Sequence, residues 1–369
     1  MPDTKQGAGS GAWGAESDQQ TDMNWIDLRS DTVTHPTPEM RQAMAQAEVG
    51  DDVFGDDPTV LRLEKLAAER MAMPAAVFVA SGTMGNLAAV LSHCQRGDEI
   101  ILGDKSHTYL YEAGGVSALG GVHTRAIPNQ ADGTLRLEDI QAAIRADDEH
   151  FPISRLIVLE NTHNSSGGAV LTPDYMDSVS AIAKEHGLKL HLDGARIFNA
   201  SAVLRVPVSA LAESVDSVTF CLSKGLCAPV GSVLCGAEEF IQGARRARKQ
   251  LGGGMRQAGI LAAAGIVALD KMVDLLSEDH ARARRLAEGL QALPAISLEQ
   301  DPPPSNMVYL KLDPKAGITT SDIIQRLGKD GIKLIARDEY RMRLVVHYWI
   351  DEAAIDRVIQ GFARATVAS

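Results

Sequence analysis

Short apolar runs recur along this chain, and segments of helical periodicity separate them. From Ile26 onward the runs are Ala76–Ala80, Glu99–Leu102, Arg155–Glu160, Leu188–Asp193, Ser217–Ser223 and Gly231–Cys235. Leu61–Met71 and Asp174–His186 carry the helical pattern between them, the latter opened by Pro173. Strands alternating with helices predict an α/β fold built on a mainly parallel, doubly wound sheet. In such sheets ligands bind beyond the carboxyl ends of the strands, so residues at those tips are the first to inspect.

After Pro302-Pro303-Pro304 the pattern changes. Strand-like Met307–Leu312, helix Thr320–Leu327, strands Lys333–Ile335 and Met342–His347, and helix Glu352–Ala363 predict a smaller α+β unit. Two helical stretches, roughly Met255–Leu276 and Ala281–Leu293, precede it. The expected division is a large domain over 25–275 and a small C-terminal domain over 276–369. Residues 1–24 are rich in Gly, Ser, Gln and Asp, and read as a disordered extension outside the fold.

Net charge narrows the partners. At −12 the chain has no excess of Lys and Arg to neutralise phosphates, which argues against nucleic acid or an anionic membrane. The basic cluster Arg245-Arg246-Ala247-Arg248-Lys249 reads as a solvated helix face. Cys94, Cys221, Cys227 and Cys235 form no CxxC pair and read as reduced packing residues of a cytoplasmic protein.

Two strand tips carry the chemistry. Leu188–Leu192 ends on Asp193-Gly194-Ala195-Arg196, and Ser217–Ser223 ends on Lys224-Gly225. A lysine that can hold an aldehyde covalently and an aspartate that can pair with a pyridine nitrogen are what a pyridoxal phosphate (PLP) enzyme requires. Either alone means little, since most lysines are solvated surface groups. A third feature joins them. Ala76–Ala80 runs into Ser81-Gly82-Thr83-Met84-Gly85-Asn86 and then a helix, a junction that exposes backbone N–H groups to a phosphate. His107, after the Glu99–Leu102 strand, is placed to stack on a cofactor ring or to move a proton near neutral pH.

Several further segments share the order and content of one family. Asp27–Thr34, Gly50–Thr59, Glu160–Asn164, His191–Asn199, Leu222–Leu226 and Gly252–Gln257 together resemble the low-specificity L-threonine aldolases, which are fold-type I PLP enzymes. The resemblance runs from about Ile26 to the C-terminus. It implies a seven-stranded mainly parallel sheet, PLP as cofactor, an amino-acid substrate, and a homotetramer (a dimer of dimers) with shared active sites.

The resemblance also implies roles. Lys224 would carry the cofactor, Asp193 would pair with its ring nitrogen, and His107 would stack on the ring. Gly82 and Thr83 would cradle the phosphate, joined by Arg256 and Lys249 of a neighbouring subunit. Ser30, Arg196 and Arg343 would hold the substrate carboxylate, with Arg196 also near the cofactor, and His150 would lie near the substrate hydroxyl. His107 and His150 both remain candidates for the base. Phe54 departs from the pattern, standing where some relatives carry tyrosine. The aspartates around it read as solvated carboxylates capping the helix Thr59–Met71 rather than as a metal site.

The activity implied is cleavage of L-threonine and L-allo-threonine to glycine and acetaldehyde. A preference for bulky substrates such as L-phenylserine, or β-elimination or transamination on the same scaffold, stands beside it because fold and cofactor do not set reaction type. A non-catalytic phosphate-ligand-binding protein would require Lys224, Asp193 and the glycine turn to coincide by accident.

Overall fold

The computed structural model describes residues 25–367; the proposed N-terminal extension lies outside them. The first strand, β1 (Ile26–Asp27), belongs to the C-terminal unit and is taken up below. The large sheet comprises β2 (Ala75–Val79), β3 (Glu99–Gly103), β4 (His123–Ile127), β5 (Ser154–Glu160), β6 (Lys189–Asp193), β7 (Ser217–Cys221) and β8 (Ser232–Gly236). Their spatial order is β2-β8-β7-β6-β5-β3-β4. Only β8 runs against its neighbours, so the sheet is mainly parallel, as expected.

Six of these strands coincide with apolar runs. The seventh, β4, reads His-Thr-Arg-Ala-Ile and sits at the sheet edge, half-exposed, so it carries no apolar signal. Helices cover both faces. One core contains Phe78, Phe198, Phe220 and Leu222, with the Phe198 and Phe220 rings edge-to-face at 5.3 Å. Edge-to-face pairs of this kind contribute about 0.5–1.5 kcal/mol beyond area burial.

A second sheet, β9 (Ile296–Leu298), β10 (Met307–Leu312), β12 (Ile335–Ala336) and β13 (Arg341–Val345), is antiparallel in the order β12-β13-β10-β9. A separate core joins it to the helices Leu276–Gln291, Thr320–Lys329 and Glu352–Ala365. The expected helix over 255–276 is instead Gly259–Val267 followed by a wider turn at Ala268–Met272, and the next helix starts at Leu276.

Ile26 and Leu28 are buried in this second core, and β1 pairs in parallel with β11 (Ile332–Lys333). The N-terminal segment is thus packed with the C-terminal unit. From there it crosses to the large sheet, where Thr34 Oγ1 donates to the Lys224 carbonyl at 2.8 Å. That crossing lays Ser30, Asp31 and Thr32 over the tips of β6 and β7. Among the described residues no helix is long and apolar enough to span a membrane.

Candidate active site

A cavity of about 530 Å³ opens between the tips of the large sheet and the second sheet. It is lined by Ser30, Thr32, His107, Tyr111, Arg196, Lys224 and Arg343, among others. Lys224 follows β7 in a tight turn: Cys227 N–H donates to its carbonyl at 2.9 Å and Ala228 N–H to Leu222 at 3.1 Å. The turn requires left-handed backbone at Cys227, whose φ is 63°.

Asp193 ends β6, the strand beside β7. It is 2% exposed. Its Oδ1 accepts from Ala195 N–H at 3.1 Å and its Oδ2 from Asn86 Nδ2 at 2.9 Å. Gly194 lets the chain turn here, since a Cβ would come within 3.0 Å of the Thr219 carbonyl.

Asn86 lies on the helix Gly82–His93, whose first turn holds Gly82 and Thr83. Ser81 caps this helix by accepting from Met84 N–H. Gly85 is needed for close packing: a Cβ would meet Thr219 Cγ2 at 2.5 Å. The glycine turn therefore serves the packing of helix on sheet and also leaves first-turn N–H groups half-exposed for an anion.

His107 opens a short helix after β3, its backbone N–H donating to Glu160 at 2.7 Å. Its ring Nδ1 pairs with Glu112 Oε1 at 3.0 Å. That hydrogen bond pushes the imidazole above its ordinary value, while burial pushes the Glu112 carboxyl up. His107, Glu112 and Asp193 present ligand atoms within 4.8 Å of one another. Glu112 was not singled out from the sequence.

Arg196 is 7% exposed and pairs through Nε and Nη2 with Asp31 at 2.7 and 2.6 Å. Burial alone would raise the Asp31 carboxyl, but the Arg196 guanidinium outweighs it and holds the group well below the usual carboxylate range. Arg343, on β13, donates to Asn164 Oδ1 at 2.6 Å and to the Arg29 carbonyl at 3.0 Å. No carboxylate lies within ion-pair distance of Lys224, Arg337 or Arg343 among the described residues. The pocket thus keeps positive charge available for an anionic ligand.

Three predicted positions lie elsewhere in their own chain. His150 precedes β5 and pairs with Asp148 on the exposed surface, its side chain 78% exposed. The cavity is at the other end of that strand, about 20 Å away at ~3.3 Å per residue. Arg256 pairs with Asp51 at 2.9 Å and is 58% exposed. Lys249 is exposed near the end of the helix Glu238–Gln250. None of the three lines the cavity. Phe54 is 76% exposed and also stands apart.

The acidic loop is held by arginines rather than solvated throughout. Asp52 forms a buried pair with Arg248 at 2.9 Å. Asp57, fully buried, caps the helix Pro58–Met71 and accepts from Gly259 N–H.

Residues 27–313 match the family described as beta-eliminating lyases. Low-specificity L-threonine aldolase 1 of Arabidopsis thaliana is 49% identical over 346 residues, covering 93% of this chain and 97% of that protein. The low specificity L-threonine aldolase of Escherichia coli strain K12 is 49% identical over 287 residues, 78% of this chain and 84% of that one. In fold, the chain is similar to the solved Leishmania major threonine aldolase, with a TM-score of 0.79 at 24% identity over 93% of this chain and 100% of that one.

Proposed function

This chain belongs to the low-specificity L-threonine aldolase family, and on that premise we propose that it cleaves L-threonine, L-allo-threonine and other L-β-hydroxy-α-amino acids to glycine and an aldehyde, with PLP as cofactor. The observation that carries the reading is the placing of Asp193 at the end of β6 and Lys224 just past the end of neighbouring β7, beside a cavity that also holds Arg196 and Arg343. The residues present fit the cofactor. Lys224 would hold it, Asp193 would meet its ring nitrogen, His107 would face the ring, and the first turn at Gly82 and Thr83 would take the phosphate.

When bound, PLP supplies the electron sink for the pair left on Cα as the Cα–Cβ bond breaks. The chain's own residues do the rest. Arg343 and Arg196 bind the α-carboxylate by charge-assisted hydrogen bonds and turn Cβ into the reactive orientation, with Ser30 beside them. Asp31 occupies two nitrogens of Arg196 and so fixes the plane of its guanidinium. His107 accepts the β-hydroxyl proton at Nε2, because Glu112 holds Nδ1. His107 lining this chain's own cavity supports it as the base, while His150, outside that cavity like Lys249 and Arg256, could reach only a neighbour's.

A cytoplasmic homotetramer with shared sites is part of the same proposal, since Lys249 and Arg256 stand outside their own cavity and would serve a neighbour's. Light scattering of the purified protein tests the assembly. The decisive experiment is an assay of glycine and aldehyde over a panel containing both threonine diastereomers and phenylserine, on wild type and Lys224→Ala. Turnover retained by the variant would refute the assignment. The beta-eliminating family description motivates one competing product set, and ammonia plus a keto acid in place of glycine would establish it.

A further inference from the structure

Behind Asp193, on the side away from the cavity, a line of buried polar groups runs through the core. His93 Nε2 lies 2.8 Å from Ser217 Oγ, and Ser217 Oγ lies 2.9 Å from His191 Nδ1. His191 Nε2 lies 3.2 Å from Asn86 Oδ1. Asn86 Nδ2 then faces Asp193 Oδ2 and Glu112 Oε1, each at 2.9 Å. Ser217 and His191 are fully buried, and Asn86 is 2% exposed.

The arrangement follows from the fold. His191 and Ser217 are register partners on β6 and β7. Asn86 and His93 are two turns apart on one helix, which puts them on the same face.

The chain has a single direction. An amide oxygen only accepts, so His191 Nε2 is the donor to Asn86. Burial pushes the His191 imidazole down to about 4, so the ring is neutral and its Nδ1 accepts from the Ser217 hydroxyl. Ser217 Oγ in turn accepts from His93 Nε2, the ring that burial pushes down to about 3. Every link therefore donates toward Asn86, whose two amide hydrogens serve the two carboxyl groups. Hydrogen bonds aligned this way polarise and strengthen one another.

We propose that Asn86, His191 and Ser217 are positioning residues, forming a one-way donor chain that braces the Asp193 carboxylate and, through Glu112, the His107 ring. The inference rests on the reading of this cavity as a PLP site. Asn86 is its hub, because the group beneath the cofactor and the group facing it hang on one amide.

The test compares full-length wild type with Asn86→Asp, His191→Leu, His191→Gln and Ser217→Ala. PLP affinity, the visible absorbance of the bound cofactor across pH, kcat and KM on L-threonine, and melting temperature without cofactor are measured for each. His191→Leu is expected to weaken PLP binding and lower kcat by about tenfold, the worth of roughly one net hydrogen bond, with KM little changed. Its absorbance titration should shift as well. His191→Gln should recover most of the loss, since its amide can donate to Asn86 and accept from Ser217. Asn86→Asp sets a third carboxylate against two and should lose more, on the order of 100-fold.

A folded His191→Leu protein with wild-type affinity, spectrum and kcat overturns the inference, as does a lowered melting temperature with those three unmoved. If His191→Leu does not fold, Ser217→Ala takes its place, with a loss of about threefold expected and wild-type values overturning the proposal. A wild-type protein that binds no PLP removes the functional reading and the inference together. Wild-type binding with unaffected variants removes the inference alone.

Discussion

The floor and the roof of the cavity are built differently. The floor is Arg196 with the layer beneath it, Asp31, Asp193 and Asn86, all buried and each tied to another by hydrogen bonds of 2.6–2.9 Å. The roof is Tyr111, Ile335 and Arg337, exposed and attached to the second sheet or to a loop. Ile335 is 45% exposed and Tyr111 57%. Polar groups at the floor hold one geometry because leaving one unpaired there is costly. Groups at the roof are free to meet substrate side chains of different size. On the proposed reading, this division would let one site hold a cofactor fixed and meet β-substituents of several sizes.

The largest test strikes the floor. Asp193→Ala should lower kcat/KM by about 10³-fold, the loss typical when one preorganised electrostatic partner leaves a water-excluded site. A loss below tenfold, measured by aldehyde release, would dissolve the distinction. Asp31→Asn comes next. It leaves Arg196 buried without its partner and should cost about 3–5 kcal/mol in urea unfolding at pH 7. The folded carboxyl lies below its unfolded value near ~3.9, so its stabilisation is present above that pH and is lost as pH falls through the folded value. The variant should accordingly show a flatter acid limb than wild type.

Arg343→Ala reaches the boundary between floor and roof. It should lower kcat/KM by about 30- to 300-fold through lost carboxylate binding, towards the lower end of the ~2–5 kcal/mol that a buried charged contact is worth, seen in steady-state kinetics on L-threonine. Glu112→Gln removes the carboxylate that raises His107, so the acid limb of the kcat profile should move to lower pH. The smallest effect belongs to the roof. Ile335→Ala should change the ratio of phenylserine to threonine kcat/KM by about three- to tenfold, within the range of a small apolar contact. A change larger than that of Arg343→Ala would invert the comparison.

Legibility cut across that divide. Lys224, Asp193, His107 and the Gly82–Thr83 turn were readable because each follows an apolar run at a strand tip. Strand β4 was not, since an edge strand needs no apolar face. Asp31 sat within a recognised segment, yet nothing local marks it as the partner of Arg196, 165 residues away. His150 carried the family's pattern, but its place before β5 puts it at the opposite end of the sheet from the cavity. Glu112 gave no signal, and Asn86 closed the recognised glycine turn without standing out from it, because a lone polar residue in a helical or loop stretch looks like any solvated one.

Most of the order of strands and helices, the mainly parallel large sheet and the placing of Asp193 and Lys224 at two strand tips were determined by sequence alone, because periodicity and turn residues act over a few neighbouring positions. Which groups stand together was decided by tertiary structure. Closing the chain brings Ile26–Leu28 into the C-terminal core, Asp31 onto Arg196, and a helix amide between two buried carboxyls. Contacts between residues so distant in sequence depend on how the layers pack, and local pattern carries no record of that.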